Sequence, residues 1–577
     1  MPRLSVEQKT VKALLSDNRA NFLIPDYQRP YAWEEKECQT LWDDLFAFAI
    51  PEGDHRKFAR NDEYFLGPIV TFTNENEQQE VIDGQQRIIT LVLLLRAFYT
   101  KYGQVRDVDY KQRRQDIEPC IWETDEFGTP NKNSRKIETE VATDEAKQDF
   151  KYILQFGVAI KEHKSLYAEN YRFFQEKIDE LHSGYPSSLA YFSTRILNNC
   201  VLLPIEADSS DTALRIFSNL NDRGKPLSDS DIFKAQLYKY YAATDRKDDF
   251  VKKWKNFEEE CVKVFTPINN TPVDEAFTRY MYYERAKQRN KNTTTEGLRK
   301  FYEKSSYALL KNNEAFTNIV DLTNFWKSIS LQDKERFSDR ILKRLFVLNY
   351  APNNMWANLL SVYYMKNRDS NGMLDDEKFY CFLNKITGFI WAYAFIKPGL
   401  NALKTPIFAA MVDIIDGNEI NFNGYKLDIE QLKHDITTYT FSNLKPLTKS
   451  MLAWWAFNDE KQPLLSSEIH LEIEHIFPKN RQEQENGLSD PQNIESLGNK
   501  SLLEKRINIR ASDYRFADKK EYYEGKRKNK EKTKILELLK LAELHDDFTE
   551  TDIVQRNALI IQKFIEYLKD NDLIKQE

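Results

Sequence analysis

Glu474 and His475 stand side by side in the stretch LEIEHIFPKN (residues 471–480), in a chain of 577 residues with only seven histidines. An imidazole, with an unperturbed pKa of about 6.5, can take a proton from water near neutral pH. A carboxylate is a hard oxygen ligand of the kind magnesium prefers, and such sites need only one or two protein oxygens, with water and substrate phosphate completing the shell. Base and cation together are what hydrolysis of a phosphodiester requires. Further on, ESLGNKSLLEKRINIRASDYRFADKKEYY supplies Asn499 and, nine residues later, Asn508. Residues 499–534 hold 13 Lys and Arg against 6 Asp and Glu, a local net of +7 in a chain of net charge -7. Attraction to a phosphate backbone calls for such a stretch, and Lys500, Lys505, Arg506, Arg510 and Arg515 are its candidate DNA contacts.

A second set of chemical groups lies near the N-terminus. IPDYQRPYAW (residues 24–33) places Tyr27, Gln28 and Arg29 between two prolines, which fix φ and hold the preceding residues extended. VIDGQQRIITL (residues 81–91) reads as an apolar strand, an Asp-Gly turn at Asp83 and Gly84, and a helix opened by Gln85, Gln86 and Arg87. The free N–H groups and dipole of that first turn favour an anion, and Arg87 adds a charge suited to phosphate. Asp83 is placed to hold a ribose hydroxyl, a metal or a water. No GxxxxGK[ST] string occurs, so a nucleotide site here is not a P-loop.

The elements that must position these groups follow from periodicity. Ile469, Leu471 and Ile473 alternate with His470, Glu472 and Glu474, the pattern of a strand with one buried face, and Pro478 marks its exit into a loop. Residues 64–72, 80–84 and 200–207 read as further strands. In FSNLNDRGKPLSDSDIFKA (residues 217–235), Asn221, Arg223 and Gly224 suggest a turn, and Ser228 with Asp231 a capping box. Between 243 and 450 the pattern is almost wholly helical, with aromatic stripes of core type. This predicts three domains, 1–242, 243–450 and 451–577.

Composition narrows the class. Apolar residues make up 41% and aromatics 13%, enough for several buried cores. The net charge excludes a globally basic nucleic-acid binder. Five scattered cysteines without a CxxC pair exclude a zinc ribbon and read as thiols of a reducing compartment. The N-terminal stretch lacks the apolar core of a signal peptide, and IITLVLLLRAFY (residues 88–99) is too short to span a bilayer. A cytoplasmic protein with no membrane partner is the expectation.

Glu-His-x-x-Pro followed by two spaced asparagines resembles the HNH nuclease motif, whose fold is a β-hairpin and helix around one metal. The longer string, with YRFADKKEYY, is similar to the C-terminal nuclease domain of GmrSD-type, modification-dependent (type IV) restriction endonucleases. IPDYQRPYAW, YFLGPIV and VIDGQQRIITLVLLL in that order resemble the N-terminal domain of the same family, a relative of the ParB/sulfiredoxin fold. The resemblance implies a predominantly helical α+β chain: a ParB/sulfiredoxin-like α/β domain, a helical middle and a ββα-metal (HNH) nuclease domain. It implies His475 as general base, Glu474 and Asn508 as ligands of Mg2+ or Mn2+, and Asn499 as the residue that holds the loop presenting the histidine. It also implies binding and hydrolysis of a nucleoside triphosphate, coupled to DNA cleavage, at Asp83, Gly84, Gln85, Gln86 and Arg87, with Tyr27, Gln28 and Arg29 lining that pocket or a sensor of modified DNA. The implied partner is double-stranded DNA, specifically modified phage DNA, and one nuclease site per chain makes a homodimer attractive for double-strand cutting. The alternatives are a phosphorothioate-sensing nicking partner of a DNA-modification system and a non-catalytic DNA- or nucleotide-binding regulator.

Overall fold

Runs of alternating and of helix-spaced apolar residues become strands and helices in a computed structural model. It describes residues 5–575 apart from 20, 106–107, 142–143, 161, 210–211, 214–215, 217–227, 267, 269–270, 486 and 528–530. The predicted turn at Asn221, Arg223 and Gly224 lies outside the described residues. The chain packs as two compact units, Met1–Lys252 and Lys253–Glu577, and the helical segment expected as a separate middle domain falls within the second.

In the first unit β1 (Ser5–Val6), β2 (Lys9–Thr10), β3 (Phe22–Ile24), β4 (Tyr64–Thr73), β5 (Gln79–Asp83), β6 (Trp122–Thr124), β7 (Pro130–Arg135), β8 (Ile137–Thr139) and β9 (Cys200–Ala207) include the three strands read from the sequence. One mixed sheet runs β1-β9-β4-β5-β3-β8, with β2 also on β9; β6 and β7 pair separately. β4 lies parallel to β9 and antiparallel to β5, so the end of β5 carries the Asp-Gly turn out of the sheet's interior. Helix α1 (Glu35–Ala49) follows the PDYQRPYAW strip, and α2 (Gln85–Gln104) follows β5. α2 is buried on nearly every side, which explains its almost unbroken apolar run. Arg96 is tolerated inside because its Nε donates to the Leu154 carbonyl (2.8 Å) and its guanidinium lies over the Tyr99 and Trp122 rings. The capping box at Ser228 and Asp231 opens α3 (Asp229–Ala242) as predicted.

Among the described residues the second unit is helical except for one hairpin and an isolated bridge between Leu427 and Ile574. Its α4 (Asp376–Ile396) is, among the described residues, the one helix long and apolar enough to cross a membrane, but 72% of that apolar window is packed inside the unit. The hairpin pairs β10 (Leu471–His475) antiparallel with β11 (Lys500–Glu504), Leu471 opposite Glu504 and His475 opposite Lys500. Among the described residues four α-helices follow: α5 (Lys505–Ala511), α6 (Phe516–Tyr523), α7 (Leu536–Leu544) and α8 (Glu550–Asp570). The result is a strand, a long connection that holds a short helix (Lys479–Glu485), a strand and a helix in succession. Overall the chain is a predominantly helical α+β protein.

Candidate active site

The loop between β10 and β11 begins at Ile476 and returns at Asn499, and a single side chain closes it. Asn499 is fully buried; its Oδ1 accepts from the Phe477 N–H (2.7 Å), and its Nδ2 donates to the carbonyls of Phe477 (3.0 Å) and Ile494 (3.2 Å). Its backbone carbonyl accepts from the Ile476 N–H (2.9 Å). Both ends of the amide are spent on backbone groups that would otherwise be buried without partners. Arg556, from α8, donates to the carbonyls of Leu497 (2.7 Å), Gly498 (2.8 Å) and Lys500 (2.9 Å) and pairs with Glu537 of α7. The strand end that carries His475 is thereby fixed from two sides.

The His475 side chain is 16% exposed, and its Nε2 is buried without a hydrogen-bond partner, 3.8 Å from a Glu495 oxygen. Burial, reinforced by the Lys500 charge, pushes its pKa down to about 4, outweighing Glu495. The ordinary imidazole value expected from sequence is therefore corrected: this ring is uncharged throughout the neutral range.

Glu474 departs from the expectation of an open ligand. It is 3% exposed, and its Oε1 accepts from Lys519 Nζ (2.8 Å) and from the Tyr523 hydroxyl (2.6 Å), both on α6. Burial raises its pKa despite that ammonium. The predicted apolar face is corrected accordingly, since Glu474 is buried more completely than Ile473. Asn508, on α5, is half-buried and donates through Nδ2 to Glu472 Oε2 (3.3 Å), not to Glu474. Glu472 and Glu474 lie two residues apart on β10, with Asn508 bonded to Glu472 and the Asp513 charge acting on Glu474. Among the described residues no group of three or more His, Cys, Asp or Glu side chains gathers to hold a metal.

The basic candidates divide. Lys500 is fully buried, with Nζ donating to the Phe441 carbonyl (2.6 Å), Asn443 Oδ1 (2.7 Å) and Glu495 Oε2 (2.5 Å), so its expected role in DNA contact is corrected to an internal one. Three acceptors saturate the three N–H bonds of an ammonium. Lys505, Arg506 and Arg515 are exposed and Arg510 half-buried.

In the first unit the two predicted segments do meet. Gln86 Nε2 donates to the Pro30 carbonyl (3.1 Å) and its Oε1 accepts from the Ala32 N–H (2.7 Å); Gln85 Nε2 donates to the Arg29 carbonyl (3.3 Å), and Gln28 Nε2 to Ile82 (3.4 Å). The glutamines therefore stitch the proline-bounded strip to the start of α2, and Gln86, with both ends of its amide occupied, is corrected from ligand contact to structural tie. Tyr27 is likewise engaged, its hydroxyl donating to Glu80 (3.0 Å). Gly84 caps α2 at φ +87°, a conformation glycine adopts without strain. Arg87 Nη1 donates to the Pro68 carbonyl (2.9 Å), and a Cβ on Gly67 (φ +117°) would come within 2.9 Å of its guanidinium. Asp83 has its pKa raised by burial, against the Gly84 N–H and the charges of Arg87 and Arg29. Arg29 Nε, Gln85 Oε1 and Asp26 Oδ1 are buried here without partners.

Sequence reasoning did not identify Glu472, Lys519, Tyr523 or Arg556. Two signals were available: Glu472 lies two residues before Glu474 on a strand, and Lys519 and Tyr523 lie four apart on a helix, so each pair shares a face. Arg556 left no local signal, because its three acceptors are backbone groups more than fifty residues away.

Residues 11–238 match the family model for the GmrSD restriction endonuclease N-terminal domain, and residues 427–563 match that for the GmrSD restriction endonuclease C-terminal domain. No curated protein matches the chain. The first match holds the strip, the Asp-Gly turn and α2; the second holds the hairpin with Glu474, His475, Asn499 and Asn508. With two matches in family order spanning more than half of its length, the chain belongs to the GmrSD restriction endonucleases, DNA hydrolases of phage defence.

Proposed function

We propose that this chain is a metal-dependent endonuclease of HNH type that cuts modified phage DNA, with cutting governed by a nucleoside triphosphate in its N-terminal unit. The observation that carries the reading is the buried Asn499 amide tied across the loop beside His475, next to an imidazole whose Nε2 is left without a partner. His475 takes a proton from the attacking water at Nε2. It is uncharged beforehand, and the negative charge of a bound phosphodiester moves its pKa back up, toward the value a base needs.

A fit to Mg2+ or Mn2+ requires the Lys519 ammonium to give way at Glu474, while Glu472 holds the Asn508 amide nitrogen and leaves its carbonyl oxygen as a donor. Glu474 and Asn508 would hold the ion, which when bound supplies charge stabilisation on the phosphate and leaving oxygen. Glu472 orients Asn508, while Asn499 and Arg556 keep the strand end in register. Lys505, Arg506, Arg510 and Arg515 attract the DNA backbone. In the N-terminal unit Arg87, Arg29 and Asp83 face the nucleotide, supported by the unpartnered polar atoms of Arg29 and Gln85.

Digestion of phage DNAs differing only in base or backbone modification, with and without divalent metal and nucleoside triphosphates, tests the reading. Selective cutting of one modified DNA that responds to nucleotide is expected. Equal cutting of plain and modified DNA, indifferent to nucleotide, would remove the sensing half of the proposal.

A further inference from the structure

The nuclease reading makes no use of α6, yet that helix sends a buried cation to the residue expected to bind metal. The Lys519 side chain is 1% exposed; its Nζ donates to Glu474 Oε1 (2.8 Å) and to the His475 carbonyl (2.6 Å). Tyr523, fully buried and one helical turn on, donates to the same Oε1 (2.6 Å). An ammonium and a carboxylate leave water only where each is well matched, and here one ammonium grips the carboxylate and the backbone of the adjacent histidine together. At Oε1 the charge that a divalent ion would bring is already present.

We infer that Lys519 is the resident cation of the Glu474 carboxylate: it positions Glu474 and the His475 backbone in the metal-free chain, and a divalent ion gains Oε1 only by displacing it. Lys519 is a positioning residue, and it sets how tightly the site takes metal. Two cations of like charge cannot share one buried oxygen, so removing the ammonium leaves an uncompensated carboxylate with heightened affinity for metal. The inference rests on the reading above only in taking Glu474 as the metal-facing carboxylate.

Mn2+ binding to the full-length chain, followed by electron paramagnetic resonance, provides the test with Lys519→Met, Glu474→Gln and the double variant. Lys519→Met should bind Mn2+ at least about tenfold more tightly than the parent, within the usual range of coupling between two sites. The gain should vanish in the double variant, where the pair is neutral. If Lys519→Met folds only with metal, its melting temperature should climb with Mn2+ while the double variant's does not, which also upholds the inference. Mn2+ binding or stabilisation in Lys519→Met that is no stronger than the parent's, with the double variant folded, overturns it. DNA cleavage is scored separately, so a parent chain that binds Mn2+ as described but cuts no DNA would count against the nuclease reading alone.

Discussion

Replacing Asn499 with alanine removes three buried hydrogen bonds and no charge. The Phe477 N–H and the Phe477 and Ile494 carbonyls lose their partners at a position fully closed to solvent. A buried group left unpaired costs roughly 1–3 kcal/mol, so three at the low end cost about 3 kcal/mol in local stability. Since about 1.4 kcal/mol is a factor of ten, amide exchange in residues 474–478 should accelerate about a hundredfold. Asn508→Ala is the control. It breaks one 3.3 Å bond from a half-buried amide to Glu472, worth about 1 kcal/mol or less, and should leave exchange in that loop near the parent rate. Hydrogen exchange read by mass spectrometry on both variants, beside plasmid cleavage, separates the roles: both should lose cleavage, and only Asn499→Ala should loosen the loop. Parent-like exchange in Asn499→Ala would refute the claim that this amide holds the histidine in place.

Lys500→Met should destabilise the second unit by about 3 kcal/mol or more in urea unfolding, because it strips a buried cation from Glu495, and should leave the salt dependence of DNA binding unchanged. Lys505→Ala and Arg506→Ala should each lower that salt slope by about 1 without affecting unfolding; the opposite pattern would return Lys500 to the DNA face. Glu550, bound by the N–H groups of Asp490 and Ser489 and by the Asn493 amide, has its pKa lowered to about 2 from an ordinary 4.5. A depressed carboxyl pKa stabilises the fold above the unfolded value and loses that contribution as pH falls through the folded one. The melting-temperature lead of the parent over Glu550→Gln should therefore fade between pH 4.5 and 2, and a constant lead would contradict the assignment. Gly67→Ala should weaken nucleotide binding about as much as Arg87→Ala, by roughly tenfold, since its Cβ would displace the guanidinium; calorimetry showing no change for either would remove the pocket from this place.

Local patterns carried much of the architecture. The strands read at residues 64–72, 80–84 and 200–207 lie at Tyr64–Thr73, Gln79–Asp83 and Cys200–Ala207, and the Ser228–Asp231 box marked the start of α3 because capping involves neighbours three residues apart. In the hairpin, alternation placed the strand but misjudged Glu474. Its burial depends on an ammonium 45 residues away, which no pattern within the strand could reveal. Lys500 shows the same limit in reverse, since a basic run reads as solvated, and two of the three acceptors that hold this member inside come from a loop 57 to 59 residues earlier. The sequence pattern divided the helical segment from the hairpin at residue 450, whereas contacts between elements gather both into one compact unit.

Cleavage by His475→Ala bears most directly on the central claim, that an uncharged imidazole at the end of β10 takes the proton in DNA hydrolysis. Purified parent and variant would be compared on modified phage DNA with Mg2+ or Mn2+ present, with loop exchange measured to show that both are folded. The account predicts at least a hundredfold loss of cutting in the variant, in keeping with the usual contribution of a general base of about 10²–10⁴. Undiminished cutting by a folded His475→Ala chain would contradict it.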